Sequence, residues 1–273
     1  MNNKLPIVVS FAGTDPSGGA GMQADIKAIS ATGAYAASII TALVAQNTCG
    51  VQAIEHVSID FVHTQAQSVF SDLKVSAVKI GMLHHEAMIE AVFAELAHWK
   101  PRHVVIDPVM VAKGGALLLD LSSIDVLKKK LVSAVSLMTP NIPEAEYLLN
   151  DKIDSVADMA TAAQKLGQLF HINVLVKGGH LNGEQSSDVL YLHDHDDWHW
   201  FHSPRVQTQN THGTGCSLSS AVASYLAQDY PLINAIMRAK DYLTRALESG
   251  AQYTIGAGHG PVDHFYYLRK GQI

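Results

Sequence analysis

Short apolar runs rich in β-branched residues alternate along this chain with longer stretches whose apolar positions recur every three or four residues. The first kind reads as strands buried on both faces and the second as helices that cover them. The alternation therefore predicts parallel strands joined by crossover helices. Strands are expected over residues 7–11, 38–44, 77–80, 103–107, 136–139 and 173–177, each soon followed by Gly, Pro, Asn or Asp. Helices are expected over 22–32, closed by Gly33; over 61–73, with Asp60 as N-cap; over 142–149, with Pro143 in the first turn; and over 217–226 and 232–249. Residues 188–192 and 198–202 flank the polar run HDHDD and read as an antiparallel hairpin. No internal repeat, low-complexity tract or Pro/Ser-rich linker marks a boundary, so residues 1–273 are expected to form one α/β domain.

Composition supports a large core, with 48% hydrophobic and only 16% charged residues in 273. A net charge of -6 gives no electrostatic footprint for nucleic acid or an anionic membrane, so neither is expected as a partner and any polyanion must be held locally. The two cysteines, Cys49 and Cys216, cannot build a disulfide framework and read as reduced thiols. The apolar run near the N-terminus is too short for a signal peptide, and no later run approaches a membrane span; the expected compartment is the cytoplasm.

Ligands of open parallel sheets bind outside the carboxyl ends of the strands. Asp15 follows the first expected strand, Gln46 follows the second, Asp107 ends the fourth, Asn141 follows the fifth and Lys177 closes the sixth, so these residues should converge on one cleft. The strongest chemical signal is NTHGTGCSLSSAVASYL, a Gly-rich turn leading straight into an apolar-periodic helix. Gly213 and Gly215 read either as clearing space for an anion at the first-turn N–H groups, with Thr214 between them, or as an ordinary glycine-containing helix entry with a buried, inert Cys216. Cys216 falls in that first turn, where the helix dipole favours thiolate and an adjacent polyphosphate opposes it.

Residues 13–25, GTDPSGGAGMQAD, contain the loose dinucleotide pattern G-x-G-x-x-A, but the end of the second strand carries no acid to hold a ribose. Its polar side chain is Gln46, an amide able to donate to and accept from a heterocycle edge. No P-loop pattern occurs. In MTPNIPEAEYL, Asn141 precedes Glu144 by three positions, a spacing that suits Mg²⁺ with its water shell, with Asp107 of VVIDPVM as a second carboxylate; the same spacing describes a plain capping-box helix start. Lys177, before two glycines in VLVKGGH, reads either as a phosphate-reaching point charge or as a surface residue. Lys113, Gly114 and Gly115 read as a flap over a nucleotide or as a simple turn. The histidines of HDHDDWHWFH read as a hairpin tip. His84 and His85 lie at a helix start without a partner at zinc spacing, so no transition metal is expected.

Taken in order, AGTDPSGGAGMQADIKA, TALVAQNT, VKIGML, DPVM, TPNIPEAE, VKGGH, HGTGCSLSSA and GHGPVDHF span nearly the whole chain. Together they closely resemble the hydroxymethylpyrimidine/phosphomethylpyrimidine kinases of thiamine biosynthesis, members of the ribokinase-like superfamily. The resemblance implies a three-layer fold with a mostly parallel central sheet covered by helices on both faces. It implies a homodimer, and phosphoryl transfer from ATP, with Mg²⁺, to 4-amino-5-hydroxymethyl-2-methylpyrimidine and then to its monophosphate. By position, Gln46 matches the glutamine that reads the aminopyrimidine, with Ala20, Val44, Met82 and Val109 around the ring. Cys216 matches the residue that takes the alcohol proton, and Gly213, Thr214 and Gly215 match the anion hole. Asn141 and Glu144 match the motif that organises Mg²⁺ and phosphates, beside Asp107 and Lys177. The alternatives are a vitamin B6 kinase of the same superfamily, a pyrimidine-binding module without catalysis, and a cysteine hydrolase using His212 as base.

Overall fold

The computed structural model describes residues 5–110, 118–119, 123–132, 134–179 and 183–269. Lys113, Gly114 and Gly115 lie outside the described residues. The strands are β1 Ile7–Gly13, β2 Tyr35–Asn47, β3 Gly50–His56, β4 Ala77–Ile80, β5 His103–Ile106, β6 Leu137–Met138, β7 Asn173–Lys177, β8 Gln185–Leu192 and β9 Asp197–Pro204. The helices are α1 Gly21–Ala31, α2 Ile59–Phe70, α3 Glu86–Trp99, α4 Ile124–Leu131, α5 Ile142–Leu149, α6 Val156–Phe170, α7 Thr214–Ala227 and α8 Leu232–Gly250.

The strands form one sheet in the order β3-β2-β1-β4-β5-β6-β7-β8-β9. From β2 to β7 every pairing is parallel, as the sequence pattern predicts; β3, β8 and β9 run antiparallel at the two edges. Successive side chains on a strand point to opposite faces, so the β-branched runs feed two cores at once. Val9, Val78, Val104 and Val174 pack with α2 to α6. Val8, Ala77, Val105 and Leu175 pack with α1, α7 and α8. This is the three-layer α/β arrangement, and no helix among the described residues is long and apolar enough to cross a membrane.

Differences from the sequence expectation have local causes. Strand β2 runs through Gln46, so that residue lies within the strand rather than after it, and β3 pairs back on it. Helix α2 starts earlier because the Ser58 hydroxyl, not Asp60, caps it by accepting from the Phe61 N–H. The HDHDD run forms a short 3₁₀ turn that joins β8 to β9, as expected, and the His84–His85 pair stands at the expected helix start, where His85 caps α3 by accepting from the Met88 N–H. Helix α7 is buried although rich in serine. Ser217 and Ser219 return their hydroxyls to backbone carbonyls one turn back, while Ser220 and Ser224 bond to α1, which small side chains allow α7 to approach closely.

Candidate active site

At the carboxyl ends of the parallel strands lies a cleft of about 540 Å³. It is lined by Ala20, Gln46, Val44, Met82, Asp107, Val109, Asn141, Glu144, Lys177 and the run from Gly213 to Cys216, whereas Asp15, expected to converge here, turns its carboxylate to its own loop and to His212. Its wall is apolar where β2, β4 and the segment after β5 meet, with Val44 and Met82 buried and Val109 packed against them. Gln46 closes that wall and donates one N–H to the Thr14 carbonyl at 3.3 Å. Among the described residues its amide oxygen and second N–H carry no bond, which suits an edge that both donates and accepts.

The opposite end of the cleft is the start of α7. Gly213 precedes it with φ +76°, and a Cβ there would lie 1.8 Å from the Gly19 carbonyl oxygen. Only glycine permits so close an approach of this turn to the β1–α1 loop. Asp15 fastens the two loops together. Its buried carboxylate accepts from the Ser17, Gly19 and Ala20 N–H groups and meets His212 Nε2 at 2.8 Å. Burial raises the Asp15 pKa, but these bonds, His212 foremost, outweigh it and bring it down to about 2. Among the described residues His212 bonds through Nε2 to Asp15 and makes no hydrogen bond to Cys216, so the His–Cys pair that a cysteine hydrolase would need is not formed. A second brace stands behind α7. The Ser217 hydroxyl donates to the Gly213 carbonyl at 2.8 Å, so His264 Nε2, 2.9 Å away, must donate to Ser217, and burial brings the ring pKa down to about 4.

Lys177 and Asp107 form a largely buried pair at 2.6 Å, with Thr139 Oγ1 3.3 Å from the same carboxylate oxygen. Burial opposes the Lys177 charge, and Asp107 and Glu144 more than restore it, raising its pKa. The Asn141–Glu144 spacing makes a complete capping box: Asn141 Oδ1 accepts from the Glu144 N–H at 2.9 Å, and Glu144 Oε2 accepts from the Asn141 N–H at 2.8 Å. The helix-start reading is therefore what these two residues do in the structure. Burial pushes the Glu144 carboxyl up to about 7, against the pull of Lys177. Burial likewise pushes the Cys216 thiol up to about 11, against the pull of Lys79 from below, while the Gly21 N–H donates to its sulfur.

A second cleft of about 390 Å³ adjoins the first and shares Asn141, Lys177, Thr211, Thr214 and Gly215 with it. Its far side holds Leu218, Leu243 and Leu247 beside the Asp188–Lys240 pair, which closes at 2.5 Å. Asp188 also accepts from the Gly178 N–H at 3.0 Å and so shapes the turn after Lys177. The sequence reading contained none of this, nor the buried Asp25–Lys79 pair under Cys216. A lysine inside the four-residue apolar strand β4 is the signal that would have pointed to the latter.

Residues 15–263 match the family model for phosphomethylpyrimidine kinase. The chain is 49% identical over 268 residues to the thiamine biosynthesis bifunctional protein ThiED of Geobacter sulfurreducens, covering 97% of this chain and 54% of that protein. It is 46% identical to the hydroxymethylpyrimidine/phosphomethylpyrimidine kinase of Salmonella typhimurium, covering 94% of this chain and 97% of that one. Among solved structures, Bacillus subtilis pyridoxal kinase in an ADP complex superposes with a TM-score of 0.89 at 31% identity, covering 97% of this chain and 99% of that one. With a matching model over most of its length and relatives of this identity, the chain belongs to the phosphomethylpyrimidine kinase family.

Proposed function

We propose that this chain transfers the γ-phosphoryl group of ATP to the hydroxymethyl oxygen of 4-amino-5-hydroxymethyl-2-methylpyrimidine, and in a second turnover to the phosphate of the monophosphate, serving thiamine biosynthesis. The observation that carries the reading is one Gly-rich helix start standing between two clefts, with the Gln46 wall on one side and a lysine-lined, partly apolar recess on the other. The relative named as a kinase of this pyrimidine is 46% identical and the thiamine biosynthesis bifunctional protein 49%, against 31% for the pyridoxal kinase, which favours the pyrimidine.

The placement of these residues in the two clefts supports the roles that the resemblance implies. Gln46 reads the aminopyrimidine edge, and Ala20, Val44, Met82 and Val109 enclose the ring. The first-turn N–H groups at Gly213, Thr214 and Gly215 and the Lys177 ammonium take up charge on the transferred group, whose reaction needs in-line placement and neutralisation more than covalent help. The substrate oxygen forms its bond to the γ-phosphorus as the bond to the bridging oxygen of ADP breaks, and its proton passes to the Cys216 sulfur. The sulfur accepts that proton only as thiolate, a minor form because burial raises the thiol pKa, so Cys216 first releases its own proton to solvent.

The oxygen donors Asp107, Glu144 and Asn141 have the hard chemistry that Mg²⁺ prefers. Their bonds to Lys177 and to the capping box leave them suited to act through water, and no group of three or more His, Cys, Asp or Glu among the described residues is placed to hold a metal directly. Bound with ATP there, Mg²⁺ would neutralise phosphate charge. A coupled ADP-release assay with the hydroxymethylpyrimidine, its monophosphate and pyridoxal tests the assignment. Turnover of both pyrimidines is expected, and a preference for pyridoxal would overturn it.

A further inference from the structure

Beneath the anion hole lies an ion pair without exposed surface. Lys79, in the middle of β4, reaches both carboxylate oxygens of Asp25 on α1 at 2.8 Å, and both side chains are 0% exposed. Ser10 from β1 donates to the same carboxylate at 2.6 Å and Ser220 from α7 at 2.8 Å. Four elements thus converge on Asp25 and fill its acceptor sites. A fully buried pair contributes little net stability compared with apolar residues of the same volume, so stability does not account for it.

Its position does. Lys79 lines the same cleft as Cys216 and Gly21. Ser220 lies one turn of α7 after Cys216 on the same helix face, so the carboxylate that holds Lys79 is anchored directly below the thiol. A Cβ on Gly81 would come 2.8 Å from Lys79 Nζ, so the backbone after β4 leaves the ammonium its room.

We propose that Lys79, held by Asp25, is a positioning residue for the phosphoryl transfer: its ammonium, fixed beneath Cys216, eases formation of the thiolate there, while the pair as a whole adds no net charge to the buried floor of the cleft. The proposal rests on the reading of Cys216 as proton acceptor. The charged groups that act on the thiol are Lys79 from β4, Asp25 from α1, Asp107 beyond β5 and Lys177 from β7. Of the first three, Lys79 acts most strongly, drawing the thiol toward thiolate while Asp25 and Asp107 push the other way.

The test uses the full chain with Cys49→Ala, which leaves Cys216 as its single thiol. Alkylation by iodoacetamide is followed by mass at pH 8.5 without substrates, beside kcat, KM and thermal melting. Lys79→Met, close in volume, is expected to slow alkylation about tenfold, the change in thiolate fraction for one pKa unit. It should also lower kcat with KM for the pyrimidine within about twofold. Asp25→Asn is expected to leave alkylation equal or faster. This contrast between two changes at one buried pair is something a merely structural role does not give. Alkylation within twofold of the parent in folded Lys79→Met, or equal slowing in both variants, overturns the proposal. Should Lys79→Met alone fail to fold, the charge-neutral Lys79→Met/Asp25→Asn chain is compared with Asp25→Asn: slower alkylation in the double variant supports the proposal, and equal rates overturn it. Near-parental kcat in Cys216→Ala would separately remove the base role and leave the alkylation result standing.

Discussion

Replacing Gly213 by alanine tests how far phosphoryl transfer depends on the contact between the two glycine loops. The new Cβ would start 1.8 Å from the Gly19 carbonyl oxygen, and real Cβ contacts begin near 3.0 Å, so the loops must part by about 1.2 Å. The left-handed backbone at φ +76° adds roughly 1–2 kcal/mol for a residue with a Cβ. Strain and loosening of the Asp15–His212 clasp together should cost about 2–4 kcal/mol, lowering Tm by roughly 5–10 °C in a chain of this size. A displacement of about 1 Å in a reacting group costs on the order of 10²-fold, so kcat should fall by about that much. The assays are coupled ADP release and thermal melting on one preparation. Gly50→Ala is the control: its φ is +149° with nothing within 4 Å of the new Cβ, so it reports backbone strain without a clash. A Gly213→Ala enzyme within threefold of the parent in kcat, with unchanged Tm, would refute the reasoning.

Cys216→Ala should lose roughly 10²–10⁴ in turnover while still binding the pyrimidine, with Cys216→Ser also poor and Cys49→Ala nearly silent; binding and single-turnover rates check this. Gln46→Leu should lower kcat/KM for the hydroxymethylpyrimidine much more than for any pyridoxal turnover, since each unmatched buried polar group costs about 1–3 kcal/mol; equal losses would mean that Gln46 does not read the pyrimidine. Glu144→Gln keeps an acceptor for the Asn141 N–H, so Tm should change by only a few degrees while the Mg²⁺ requirement rises; an unchanged Mg²⁺ titration would leave Glu144 a helix cap alone. Burial brings His264 down to about 4, so between its unfolded value near 6.5 and pH 4 the unfolded chain binds a proton that the folded chain does not. The stability this contributes is therefore present above pH 6.5 and lost as pH falls. Urea unfolding should show about 2 kcal/mol more loss from pH 7 to 5 in the parent than in His264→Gln, and equal losses would contradict it.

The parallel strands were legible because a strand buried on both faces must be apolar at every position and must end where the chain turns; β4, β7 and α5 match their expected limits. Edge strand β3, GVQAIEH, is largely solvated and mixes polar with apolar residues, so its sequence resembles a loop. The cleft was legible wherever a polar residue ended a strand. Pairings set by tertiary packing were not. Asp25 looks like any helix acid until α1 packs on the sheet and Lys79 reaches it from β4, and Asp15 points inward to His212 instead of into the cleft. Lys240 is one of several polar residues on an amphipathic helix until β8 brings Asp188 to it.

The Asp15–His212 bond joins positions 197 residues apart. Closing so long a segment has an entropic cost that grows only slowly with length, but the segment cannot close before its far end exists. During synthesis from the N-terminus, the wall formed by Gln46, Met82 and Val109 is complete more than a hundred residues before His212 emerges. Helices α7 and α8, which cover one face of the sheet, also come after this point, so the segments of the wall are all made before the core that supports them can close. The cleft is thus completed at the end of synthesis, when the loop carrying His212 reaches Asp15.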